Sequence, residues 1–149
     1  MQPIQPVIHV NYLAILLCVV SFMVLGFLWY GPFFGRAWKK EMGVPEDCKP
    51  EPKQMTRSMG LMIVGSFLTS FVLTHNMQAW MPSRWHVGAD APAYVYGFFG
   101  GFFTWLGFYV PMLFGLVSWE NKSWKLFWIN AAYYFVALQA AGMILSFLR

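Results

Sequence analysis

Three histidines, His9, His75 and His86, are the side chains of this sequence best suited to hold a metal, and Asp90 follows His86 by four positions. Imidazoles with a carboxylate bind zinc or copper, and histidines also ligate haem. These three lie on separate segments, with no HxxxH or CxxC spacing among them. The pattern therefore favours solvated histidines at a membrane surface, with a metal at His9, His75 or His86 as the alternative; no cofactor is expected. Catalytic signatures are missing too: there is no GxSxG, no phosphate-binding glycine loop and no HExxH. The chain reads as a non-enzyme.

A second set of candidates is aromatic and polar. Trp105, Tyr109, Asn130, Tyr133 and Tyr134 would line a cleft between the third and fourth of the apolar blocks described below, suited to a small apolar or amphipathic ligand such as a lipid or quinone. Asn130 and Gln139 are nine residues apart, about two and a half helical turns, so they fall on nearly opposite faces and do not form one site. Ser21, Ser66, Thr69, Ser70 and Thr104 are further uncharged polar residues within the apolar blocks, read as interhelical hydrogen-bonding groups.

Composition names the elements that must position these residues. Of 149 residues, 58% are apolar and 11% charged, well under the roughly 25% charge of a soluble protein. The apolar residues form four blocks, at about 10–30, 59–77, 94–119 and 125–148, and roughly 20 such residues span the hydrocarbon layer. The expectation is an all-α, integral membrane four-helix bundle forming a single membrane domain over residues 1–149. The first block has no Lys or Arg before it and no small-x-small cleavage site after it, so it reads as a retained span. No span carries Asp, Glu, Lys, Arg or His in its middle, which argues against a proton-coupled or ion-coupled transporter.

Charge predicts the orientation. The first loop holds Arg36, Lys39, Lys40, Lys49, Lys53 and Arg57, the third holds Lys122 and Lys125, and the opposite side has only Arg84 and Arg149. Eight against two places the loops in the cytoplasm of a bacterium and both termini outside the inner membrane. With the net charge of +4 concentrated in this way, anionic lipid rather than nucleic acid is the expected partner. Cys18 and Cys48 have no paired spacing, and no disulfide is expected.

Within the first loop, Phe34, Trp38 and Met42 recur every four residues while Arg36, Lys39 and Lys40 point elsewhere. That spacing predicts a short interfacial helix, its apolar side in lipid, anchored with the aromatic pair Trp29 and Tyr30 and stopped by Gly43 and Pro45. Gly31 and Pro32 are expected to end the first span. The following VPEDCKPEPKQ stretch reads as a solvated linker, and the first-loop carboxylates as a solvated surface. Gly97 with Gly101, Ala137 with Ala141, and Ser66 with Ser70 are small-residue pairs that let helices approach, within the bundle or against a second copy or a partner membrane protein.

Two stretches carry a family resemblance. The run NYLAILLCVVSFMVLGFLWYGPFFGRAWKKEMG, residues 11–43, and the glycine-rich third block through SWKLFWIN into the fourth, residues 97–148, resemble the bacterial four-helix membrane proteins grouped as domain of unknown function 1761. Asn11, Gly26, Trp29, Tyr30, Gly31, Pro32, Gly35 and Trp38 carry the match. The resemblance implies the four-helix fold and leaves activity, ligand and cofactor open. The leading functional expectation is a structural or interaction subunit, with the ligand binder as the alternative.

Overall fold

The structure is a computed structural model that describes residues 5–149. Among them it is all helical: α1 (Tyr12–Leu28), α2 (Gly35–Met42), α3 (Pro52–Ala79), α4 (Ala93–Thr104), α5 (Val110–Ser118) and α6 (Trp124–Phe147), with short π or 3-10 turns between some of them. Four continuous helices are long and apolar enough to cross a membrane: Tyr12–Phe33, Pro52–Ala79, Ala93–Ser118 and Trp124–Phe147. They are the first to fourth spans below.

Asn11 starts the first span as an N-cap, its Oδ1 accepting from the Leu13 and Ala14 amides at 3.1 and 3.2 Å. Its Nδ2 donates to the Leu148 carbonyl at 2.6 Å, so the first span begins beside the end of the fourth. This is the terminal end of the bundle; the first and third loops form the loop end.

At the loop end the first span does not stop at Gly31-Pro32. It continues through Phe33 as a π turn, Trp29–Phe33, with the Phe34 amide donating to the Trp29 carbonyl at 2.8 Å. Proline lacks an N–H and collides with the carbonyl one α turn back; widening the turn by one residue accommodates both faults. The third span does the same at Trp105–Tyr109, just ahead of Pro111. Gly43, at φ 71°, ends α2 in the left-handed conformation that glycine tolerates.

The second span begins at Pro52, with proline in the first helical turn, so the last three residues of the anticipated linker are helical. Its 28 residues run about 42 Å, longer than the roughly 30 Å hydrocarbon layer. None of Pro52–Gly65 is buried; burial against the bundle begins at Ser66 and recurs at Ser70, Leu73, Thr74 and Met77. The second span thus diverges from its neighbours toward the loop end.

The fourth span is the hub. Half of its central stretch is buried, against 33% for the first span, 22% for the second and 11% for the third. It holds the third span through glycine. A Cβ on Gly101 would lie 2.7 Å from the Leu138 carbonyl, one on Gly97 3.1 Å from that of Gly142, and one on Gly142 would strike the Gly97 carbonyl. Ala137 and Ala141 lie in the core with Cys18 and Phe22 of the first span, and the Cys18 thiol reaches the Ala141 carbonyl at 3.6 Å.

Candidate functional site

The glycine contacts close the third span on the fourth around Gly97, Gly101 and Gly142, away from the five residues anticipated to line a cleft between those helices. Its five candidates divide. Trp105 turns its Nε1 to the Ala131 carbonyl at 2.8 Å and its ring edge to Phe135, and Asn130 accepts from the Tyr30 hydroxyl at 2.9 Å. Both serve packing.

Tyr109, Tyr133 and Tyr134 instead line a chamber of about 180 Å³ among all four spans. Phe22 of the first span and Met62, Gly65, Ser66 and Thr69 of the second complete its wall. The chamber lies where the second span begins to diverge. Met62 and Gly65 are exposed, and a Cβ on Gly65 would meet nothing within 4 Å, so its mouth faces sideways, out of the bundle.

Its hydrogen bonds are largely internal. Ser66 donates to the Met62 carbonyl one turn back at 2.7 Å, and Tyr133 to the Phe22 carbonyl at 3.1 Å. Thr69 and Tyr109 share one hydrogen bond of 3.0 Å. The Tyr134 ring lies 4.6 Å from that of Tyr109 and 5.1 Å from that of Tyr133, and its hydroxyl has no hydrogen-bond partner among the described residues. Sequence reasoning treated Ser66 and Thr69 only as packing groups and gave Phe22, Met62 and Gly65 no role. The available signal was a polar stripe at three- and four-residue spacing, Ser66, Thr69, Ser70 and Thr74, on an otherwise apolar helix.

The loop-end candidates form a lock on the fourth span. Trp29 Nε1 donates to the Ile129 carbonyl at 3.0 Å beside the Tyr30–Asn130 bond. Phe34 packs on Trp29 at 4.7 Å and Trp38 edge-on to Tyr30 at 5.8 Å, so the apolar side of α2 leans on protein as well as facing outward. Arg36 and Lys40 are exposed, and Lys39 donates to the Glu46 carbonyl. Glu41 is not merely part of a solvated surface: it accepts from Ser123, the N-cap of the fourth span, and lies 3.5 Å from Lys125. The Ser123 hydroxyl, aided by Lys125 and Lys40, holds its carboxyl below the usual range.

The histidines do not converge. His9 engages Gln78 through its backbone, with bonds of 2.9 and 2.6 Å in the two directions; His75 turns its Nδ1 to the Phe71 carbonyl; His86 sits in a left-handed turn. Among the described residues no three His, Cys, Asp or Glu side chains are grouped to hold a metal. Asp90 pairs instead with Ser83, through its amide and hydroxyl, and with Arg149 at 3.5 Å. Partial burial works to raise its carboxyl, but Ser83, Arg149 and Arg84 outweigh it and hold the group below its ordinary value.

The aromatic turn at Trp29–Pro32, the close approach at Gly35 and the glycine seam all fall within the stretch that a family model covers. The family described as a protein of unknown function, DUF1761, matches residues 13–146. The chain belongs to the DUF1761 family. No curated protein and no solved structure matches it. Membership assigns no activity to the chamber or the lock.

Proposed function

We propose that the chain is a non-enzymatic subunit of a bacterial inner membrane. It packs through the joint face of its second and third spans against another membrane-embedded chain, a second copy first of all. The observation that carries this reading is a groove of about 620 Å³ between those spans, walled by Met77, Trp80, Tyr96, Phe99, Phe103 and Phe108 and holding Asn76. The Asn76 carboxamide has no hydrogen-bond partner among the described residues. In an apolar groove such a group favours a hydrogen bond across a helix interface, worth about 0.6 kcal/mol on average in membranes. The low burial of both spans leaves the face free to receive a helix.

Native mass spectrometry of the protein in lipid nanodiscs tests this. A dimer or larger assembly is expected, and Asn76→Leu should weaken it about threefold. A monomer with no co-extracted chain at every protein-to-lipid ratio would refute the reading.

The same reading puts the loop end, with eight of the ten Lys and Arg residues, in the cytoplasm and both termini outside. Cys48 is exposed in the first loop and Cys18 buried, so a membrane-impermeant thiol reagent reports on Cys48 alone. On intact cells Cys48 should stay unlabelled until lysis; labelling before lysis reverses the orientation.

A further inference from the structure

We propose that the chamber among the four spans binds the head of a tailed amphiphile: a neutral six-membered ring bearing a carbonyl oxygen, as in a quinone, taken sideways from the bilayer. This goes beyond the proposed packing function and does not rest on it, because the chamber and the groove share no wall residue.

Four observations select that chemistry. The first is size: about 180 Å³ exceeds the roughly 150 Å³ of a cavity that holds benzene, leaving room for one ring with small substituents. The second is charge, since no lining residue is ionisable other than tyrosine, so neither an anion nor a cation finds a counter-charge.

The third is the state of the hydroxyls. Ser66 and Tyr133 direct their protons to backbone carbonyls. Thr69 and Tyr109 share one proton between two oxygens, which leaves one O–H of that pair unused, and the Tyr134 O–H is a second. Two unused donors beside the tilted rings of Tyr109 and Tyr134, against the apolar wall of Phe22 and Met62, suit a carbonyl-bearing ring that accepts hydrogen bonds and offers none.

The fourth is access. The second span carries no buried residue before Ser66, and Gly65 presents no side chain at the mouth. A tail can therefore leave past Met62 and Gly65 into the bilayer while the ring stays among the tyrosines. The sites of drug-sized ligands are likewise mostly apolar with a few directed polar groups.

The test uses the full chain in nanodiscs with 6-decyl-2,3-dimethoxy-5-methyl-1,4-benzoquinone as the probe. Native mass spectrometry should find one probe per chain, and infrared spectra of carbonyl-labelled probe should show a hydrogen-bonded C=O band shifted from that of probe in lipid alone. Tyr134→Phe should weaken binding about tenfold and diminish the shifted band. Gly65→Leu, whose side chain enters open space and so leaves the fold intact, should block the mouth and abolish binding. Asn76→Leu, in the outer groove, should leave probe binding unchanged, which separates this inference from the packing proposal. Non-stoichiometric uptake, a C=O band identical to that in lipid, or binding indifferent to both Tyr134→Phe and Gly65→Leu would overturn it, as would a chamber that holds only water.

Discussion

Gly142→Leu is expected to separate the third span from the fourth and destabilise the protein by about 3 kcal/mol or more. The two backbones meet at that point: a Cβ on Gly142 would strike the Gly97 carbonyl, and Gly97 and Gly101 are closed against Gly142 and Leu138 in turn. A backbone carbonyl cannot rotate aside as a side chain does, so the helices must part. Parting forfeits close van der Waals contact along the seam, and in lipid no hydrophobic force between helices compensates, because lipid tails are as apolar as the side chains. Thermal unfolding in one fixed detergent, followed by circular dichroism, reads the loss. Gly60→Leu is the control, since a Cβ there meets nothing within 4 Å, and it should stay within about 0.5 kcal/mol of the parent. Equal loss in both variants would show that the seam is not closely packed.

Gly35→Ala is expected to break the loop-end lock and destabilise the protein by about 2 kcal/mol. The π turn of the first span brings the Tyr30 carbonyl over Gly35, where a Cβ would lie 2.6 Å from that oxygen. Alanine forces either the turn or α2 to move. Either movement disturbs Trp38 against Tyr30, the Tyr30–Asn130 bond and the reach of Glu41 to Ser123. Hydrogen exchange should report faster amides at Trp38–Met42 and at the start of the fourth span, around Leu126–Asn130. Gly31→Ala, where a Cβ finds open space, should leave both segments protected. Faster exchange confined to α2 would mean that the lock does not reach the fourth span.

Between them these two sites explain how a short chain holds four long helices. At the terminal end the bundle is tied by backbone and carboxylate contacts: Asn11 to Leu148, Gln78 to His9, and Asp90 to Ser83 and Arg149. At the loop end it is tied by α2. Between the ends the fourth span provides the surface on which the first and third pack, while the second, with no buried residue from Pro52 to Gly65, leaves the chamber open.

Much of this architecture is local, and local features are legible in a sequence. The four apolar blocks, the helix in the first loop and its stop at Gly43 depend on side-chain solvation and on φ preferences carried by each residue in its own stretch of chain. Even so, Gly31-Pro32 misled as a helix end, because whether proline breaks a helix or is absorbed by a π turn depends on what the widened turn packs against. Here that is the fourth span, through Trp29 and Tyr30.

By itself the sequence determined that the chain is helical, that it has four membrane-length spans, where the loops fall, and the charge asymmetry between the two ends. Only the tertiary structure decided which faces meet. It directed Gly97 and Gly101 to the fourth span, recruited Glu41 to Ser123, and drew Tyr109, Tyr133 and Tyr134 together with Thr69 instead of into a cleft with Trp105 and Asn130. In a soluble bundle an apolar stripe marks the buried side of each helix. In a membrane, lipid and protein interior are both apolar, so that stripe disappears, and the facing surfaces are chosen by backbone approach and hydrogen bonds that exist only once the helices are in place.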